Sequence, residues 1–218
     1  VSAPDISAIL VAGDEGPRIG ISLHSLVDAA TAARSAGLTV EATVVLAAAT
    51  PGTRAALVEA EEHGVRVEAL DATDPGAARN QAAAAAAGEH LAFLDGGAVW
   101  TQNWLVAAHA LCAGGGARVI AHPEIHWFYE VGRELYFPPD QDDPGFDPAA
   151  LRFGNCWDAQ ALAATAVYRE VPFAELGADA EPGELDWHWS RATVEAGYRH
   201  RVVPETVNFR RRRPRTLR

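Results

Sequence analysis

The sequence predicts an α/β fold built on a helix-covered, mostly parallel sheet, and three observations carry that expectation. Short apolar runs alternate with helical stretches along the first half of the chain, the repeating unit of a βαβ architecture. The 218 residues suffice for one sizeable core and show no interior linker composition, so a single domain is expected. All 17 aromatic residues lie from Phe93 onward. The residues before it must pack with Val, Ile, Leu and Ala alone, which suits strands buried on both faces by helices.

Ile6 to Ala12 is an apolar run closed by Gly13-Asp14-Glu15-Gly16-Pro17, hence a buried strand, a loop and a helix opened by proline. That helix runs to about Ser35 and stops at Gly37. A strand over Val40 to Ala47 and a helix over Pro51 to His63 follow, then a strand over Val65 to Leu70 and a helix over Pro75 to Ala87. A fourth strand, from His90 to Leu94, ends in Asp95. The four loops after these strands share one rim, where ligands of open α/β sheets bind. A helix near Asn103 to Cys112 and a strand over Arg118 to His122 close the regular part. Pro123 to Asn155 reads as irregular, aromatic and acidic. Asp140, Asp142, Asp143 and Asp147 there lack the spacing of a calcium loop and read as a solvated run. Regularity returns with a strand over Ala161 to Tyr168, a helix from about Glu184 to Gly197 and a strand over Arg199 to Val203.

Charge is uneven. Lysine is absent, and Arg210, Arg211, Arg212, Arg213, Arg215 and Arg218 crowd the last nine residues; the rest holds 12 Arg against 29 acidic residues, a net of −17. An acidic body excludes a nucleic-acid-coating protein. The tail reads either as a solvated end or as a phosphate-binding element, with a weak membrane-surface contact as a further role. Cys112 and Cys156 have neither metal-ligand nor disulfide spacing, which fits a reducing, cytoplasmic compartment. No apolar run reaches the length of a membrane span. The absence of an initial Met reads as a trimmed chain or a fragment.

Three constellations line up with a known family. Asp74-Pro75-Gly76-Ala77-Ala78-Arg79-Asn80 and the later Gly88-Glu89-His90-Leu91-Ala92-Phe93-Leu94-Asp95 resemble the ARN…GExxxFLD stretch of family-2 inverting glycosyltransferases. Glu184-Leu185-Asp186-Trp187-His188-Trp189, then Glu195-Ala196-Gly197-Tyr198 and Val202-Val203-Pro204, resemble that family's acceptor-side ED motif and following strand. The resemblance implies the GT-A fold, a Rossmann-like nucleotide-sugar-binding domain whose mixed sheet has a parallel core flanked by helices. Residues 1–98 would form the nucleotide-binding half, 99–209 the acceptor-side half, and 210–218 a basic tail.

It also implies a nucleotide diphosphate sugar as donor and a carbohydrate or other hydroxyl acceptor. Asp186 matches the position of the general base, at a helix start whose dipole would hold it ionised. Asp14, Glu15, Arg79, Asp95, Arg210 and Arg211 are the candidate donor contacts. Trp187, His188 and Trp189 are candidates for the acceptor side, although at helical spacing the two indoles cannot point the same way and at least one belongs to the core.

Several expected ligands are missing. Leu46 and Ala47 stand where relatives read the donor base and ribose, the DxD motif is Asp95-Gly96-Gly97, and Asn208 replaces a metal-side His. Asp95 is the one candidate metal ligand left, a poor site for Mg²⁺ or Mn²⁺. Two readings follow: a metal-independent enzyme whose arginines neutralise the diphosphate, or a catalytically silent module that binds carbohydrate or protein. A nucleotidyltransferase ranks last, because the loop from Gly13 to Arg18 is acidic rather than basic.

Overall fold

The computed structural model describes residues 2–177 and 183–212. Its elements are β1 (Ile6–Ala12), α1 (Ile19–Ser35), β2 (Val40–Ala47), α2 (Pro51–Ala55), β3 (Arg66–Leu70), α3 (Pro75–Ala85), β4 (His90–Asp95) and β5 (Val99–Trp100). There follow α4 (Trp104–Gly115), β6 (Val119–Glu130), β7 (Glu134–Tyr136), β8 (Leu162–Ala164), α5 (Thr165–Glu170), α6 (Glu184–Glu195) and β9 (Arg199–Arg212). One curled sheet has the order β3-β2-β1-β4-β8-β6-β9-β5, with β7 on β6. β3, β2, β1 and β4 are parallel, as the βαβ alternation requires; β8 runs against both β4 and β6, and β9 lies parallel to β6. The result is a mixed sheet with a parallel core, and the chain order reverses between β1 and β4, beside Asp95.

Each face of the sheet has its own core. α1 and α4 cover one with Leu23, Leu26, Ala29 and Leu105 against Ile6, Ala8, Leu10 and Val44. On the other, the small residues of α3 (Ala82, Ala83) admit close approach, and Phe93 meets Tyr168 edge-on at 5.4 Å. Phe93 is thus where aliphatic packing hands over to ring packing. The family-like stretch has a structural job too. Asp74 Oδ1 caps α3 by accepting from Gly76 and Ala77 backbone N–H groups, and its Oδ2 accepts from Gly177 N–H. Asn80 exchanges hydrogen bonds with the Phe173 backbone. Gly88 must lack a side chain, because a Cβ there would lie 2.4 Å from the Ser7 backbone nitrogen.

Several expectations about element extents are corrected. The helix expected over 51–63 stops at Ala55, because the chain turns to seat Leu57 and Ala60 in the core. The stretch 161–168 is a three-residue strand followed by α5, which places Val167 and Tyr168 inward. β6 continues through Pro123 to Glu130, inside the region expected to be irregular. Its alternation is hidden in sequence because rings occupy both faces: His126 and Phe128 on one, Trp127 and Tyr129 on the other. β9 likewise runs to Arg212, so Arg210, Arg211 and Arg212 are strand residues rather than a tail. Arg213, Arg215 and Arg218 lie outside the described residues.

The acidic run is half strap and half solvated loop: Asp143 and Asp147 are exposed and, among the described residues, their side chains bond only within their own turns, whereas its first two carboxylates tie down β9. Asp140 binds Arg201 at 2.7 Å and accepts from Val202 N–H, while Asp142 pairs with Arg199 and Arg201. Between β6 and β9 the register jumps: Pro123 pairs Val203, but Ile125 pairs Val207. Glu205 there takes φ 61°, and its N–H is received by Glu124. No helix of the described residues is long and apolar enough to cross a membrane.

Candidate active site

The carboxyl ends of β1 and β4, the segment before β8, the start of α6 and the end of β9 converge on one group of charges. β4 ends at Asp95, whose N–H donates to Gln160 Oε1 at 3.0 Å. Arg79, 5% exposed on α3, reaches Asp95 Oδ1 in a short ion pair. Arg210 approaches Asp95 Oδ2 at 4.0 Å and lies 2.8 Å from Asp158 Oδ2. His126 Nδ1 stands 3.4 Å from that same Asp158 oxygen. Asp186, on the first turn of α6, is buried beside this group and feels the charges of Arg210, Asp158, Arg79 and Asp95.

Burial dominates the titration of Asp186 and pushes its carboxyl up to about 6; Arg210 and Arg79 pull it down and Asp158 and Asp95 push it up further. Burial, not the helix dipole expected to hold Asp186 ionised, sets its titration and makes it a weaker acid than an ordinary aspartate. One turn of helix N-terminus contributes little against loss of water around a buried carboxylate. Burial also pushes Asp158 up, but the Arg210 guanidinium and the hydrogen bond from the Gln160 backbone N–H outweigh it and bring the carboxyl below its ordinary value. Burial lowers His126, keeping the imidazole neutral. Burial opposes the charge on Arg210, and Asp158, Asp186 and Asp95 more than restore it. The centre is therefore two guanidinium groups, Arg79 and Arg210, held among three carboxylates, with a neutral imidazole at its edge.

Arg211 points to the other face of β9. It forks onto Glu130, and a Cβ on Gly97 would sit 3.4 Å from its Cδ. The end of β9 thus straddles the Asp95-Gly96-Gly97 loop, Arg210 at its first residue and Arg211 packed on its last. Gly97 has φ 85° and its carbonyl receives the Tyr129 hydroxyl at 2.6 Å. Glu15 accepts from Gly13 N–H and lies against Gly96, while Asp14 is exposed and its charge reaches Arg211. All six candidate donor contacts are therefore on or beside this rim. Leu46 is buried in the aliphatic core and offers the rim no polar group.

The acceptor-side candidates separate. Trp189 is a core residue, 1% exposed, stacked 5.2 Å from Tyr168 with its indole N–H on the Val171 carbonyl. It faces no cleft, which corrects its assignment to the acceptor side. His188 is exposed and lies 3.8 Å from Glu184, away from the charge cluster. Trp187 is half-buried, donating to the Leu151 carbonyl. Truncating Trp189 to Ala is expected to destabilise the fold by about 3–5 kcal/mol, the range for a buried tryptophan; chemical denaturation checks it, and a change under 1 kcal/mol would remove Trp189 from the core.

Three participants escaped sequence reading. Asp158 and Gln160 precede β8 two residues apart, and that spacing on an extended segment was the available signal, since it puts both side chains on one face. His126 could not be singled out from its neighbours. The histidines are also less scattered than they read: His122 Nε2 and His200 Nδ1 lie 2.8 Å apart in a buried stack with Trp157, where burial holds both neutral and pushes His122 down to about 3.

The donor set does not suit a divalent cation. Both Asp95 oxygens face guanidinium groups, Gly97 supplies none, and the Asn208 amide is fully buried with neither polar atom hydrogen-bonded. Among the described residues no three His, Cys, Asp or Glu side chains come together as metal ligands.

The profile of Glycosyl transferase family 2 matches residues 7–122. No curated protein matches the chain. Among solved structures it is similar to residues 1–349 of S. aureus TarS, at 16% identity and a TM-score of 0.71 over 95% of this chain and 60% of that one. The same TarS segment in complex with UDP-GlcNAc gives 17% identity and 0.72 over 96% and 59%, and in complex with UDP 17% and 0.69 over 96% and 61%. The chain spans about three fifths of these TarS chains. They share its fold, which is GT-A.

Proposed function

The chain belongs to glycosyl transferase family 2, and from that premise we propose that it moves a sugar from a nucleoside diphosphate sugar to an acceptor hydroxyl with inversion, without a metal, Asp186 acting as general base. The observation that carries the proposal is the buried Asp186 carboxylate, raised to about 6 beside Arg210. A base of that strength is largely ionised at pH 7 yet more basic than an ordinary aspartate, the compromise proton abstraction favours. Asp186 takes the acceptor O–H proton as that oxygen bonds the anomeric carbon from the face opposite the leaving group. The bond from that carbon to the diphosphate breaks, and the nucleoside diphosphate departs with the electron pair. Arg79 and Arg210, fixed by Asp95 and Asp158, supply preorganised positive charge for it. The UDP and UDP-GlcNAc bound by the TarS structures make a uridine donor the first to test.

The test is a thermal-shift series with UDP, GDP, dTDP and their sugars, with and without Mn²⁺ and with chelator, followed by NMR of the product anomer. A nucleotide sugar is expected to raise the melting temperature equally with and without chelator. Stabilisation that requires Mn²⁺ would overturn the metal-free reading, and a retained anomer the inverting one. Silence toward every nucleotide would favour a binding module without turnover, the reading that Leu46, Ala47, Gly97 and Asn208 motivate.

A further inference from the structure

Beside Arg210 and Asp158 is a cleft of about 250 Å³ between β6, β7, the segment before β8 and the end of β9. At ~30 Å³ per water it has room for about eight waters, the scale of one sugar ring. Its polar lining is unusual. His126 is 2% exposed, its Nδ1 facing Asp158 Oδ2 at 3.4 Å and its Nε2 without a hydrogen-bond partner among the described residues, while Asp158 Oδ2 also meets Arg210 at 2.8 Å. Buried polar atoms without partners are rare in native proteins, and they mark places where a ligand supplies the partner. Half-buried Phe128 and Tyr136 stand beside them, the Tyr136 hydroxyl being held by the Cys156 carbonyl at 2.9 Å.

Charge narrows the ligand. Every charged side chain lining the cleft has an opposite charge against it: Arg210 by Asp158, and Arg212 by Glu134 at 2.7 Å. Among the described residues the lining adds only Arg212, held by Glu134, to Arg210, which the transfer reaction already assigns to the diphosphate, so nothing in it is left over for a second phosphate or a carboxylate. A neutral hydroxyl can donate to Asp158 and either donate to or accept from the His126 nitrogens, while the C–H face of a ring lies on Tyr136. We propose that this cleft is a subsite for one neutral pyranose of the acceptor, specified by His126, Asp158 and Tyr136. It shares Asp158 and Arg210 with the group around Asp186, so it deepens the transferase reading above and rests on it for its place in the reaction.

The test is saturation-transfer NMR with methyl β-D-glucopyranoside, methyl β-D-galactopyranoside and N-acetylglucosamine, alongside thermal shift with UDP on the same proteins. At least one pyranoside is expected to bind saturably in the millimolar range and to lose affinity five-fold or more in His126→Gln. Should His126→Gln lower the melting temperature, Asn155→Trp, a change at an exposed residue on the cleft wall, is expected to block the sugar and leave the UDP shift unchanged. No binding by any of the three sugars, or binding indifferent to both substitutions, overturns the subsite. Sugar binding that depends on His126 in a protein that ignores UDP would keep the subsite and overturn the transferase reading.

Discussion

Asp186→Asn is expected to reduce sugar transfer by about 10²–10⁴-fold, the range for removing a general base, while raising thermal stability. The two effects share one cause. A carboxyl whose value rises from 3.8 unfolded to about 6 folded binds its proton more tightly in the native state. Stability therefore falls as pH rises from about 4 to 6 and stays reduced above that. At 1.36 kcal/mol per unit, two units place an upper bound of about 3 kcal/mol on the penalty at pH 7–8. Asn carries no charge and escapes it. The wild-type rate should run the other way, falling as pH drops through about 6 because the base becomes protonated. Paired activity and melting measurements between pH 5 and 8 check this. An Asn variant that is as active as wild type, or that is less stable at pH 8, would remove Asp186 from the role.

Arg210→Ala is the second large change. It leaves Asp95, Asp158 and Asp186 facing one another with Arg79 as the remaining cation among the groups that act on Asp186. Removing one partner of a buried pair destabilises by about 3–5 kcal/mol; with its side chain 24% exposed, Arg210 belongs at the lower end. Arg210 is also the leading influence that lowers Asp186, so its loss should drive that carboxyl higher and shift the acid limb of residual activity to more alkaline pH. Lys in its place should restore much of the stability but not the fork between Asp95 and Asp158. A variant with wild-type melting temperature and an unmoved pH profile would show that Arg210 does not govern the cluster.

The strands and the order of the parallel half were legible, although α2 stops at Ala55 instead of continuing to His63. β2 spans the predicted Val40 to Ala47, and Pro51, Pro75, Gly37 and Gly64 punctuate the chain where expected, because an aliphatic run between helix signals has few other solutions. The acceptor half was harder for a physical reason. In β6 and β9, polar and aromatic side chains occupy both faces, so the period of two that marks a half-buried strand disappears into what reads as loop and tail. The candidate site divides along the same line. Asp95, Arg79 and Asp186 stand in recognisable motifs, whereas Asp158 and His126 are defined by what the curled sheet brings near them. Trp189 shows the converse, a motif residue whose local company suggested the cleft while its ring belongs to the interior.

The register jump between β6 and β9 has a consequence for evolution of the site. Two residues advance from Pro123 to Ile125 while four advance from Val203 to Val207, a surplus of two. An even surplus preserves the phase of the pleat, so Arg210 emerges toward the carboxylates and Arg211 toward Gly97. A single-residue insertion or deletion inside that bulge would invert the phase downstream, aiming Phe209 or Arg211 at Asp158 and turning Arg210 away. Length variation in this bulge is therefore constrained by parity: relatives that keep this arrangement of arginines should differ there by pairs of residues, as a reading frame tolerates only whole codons.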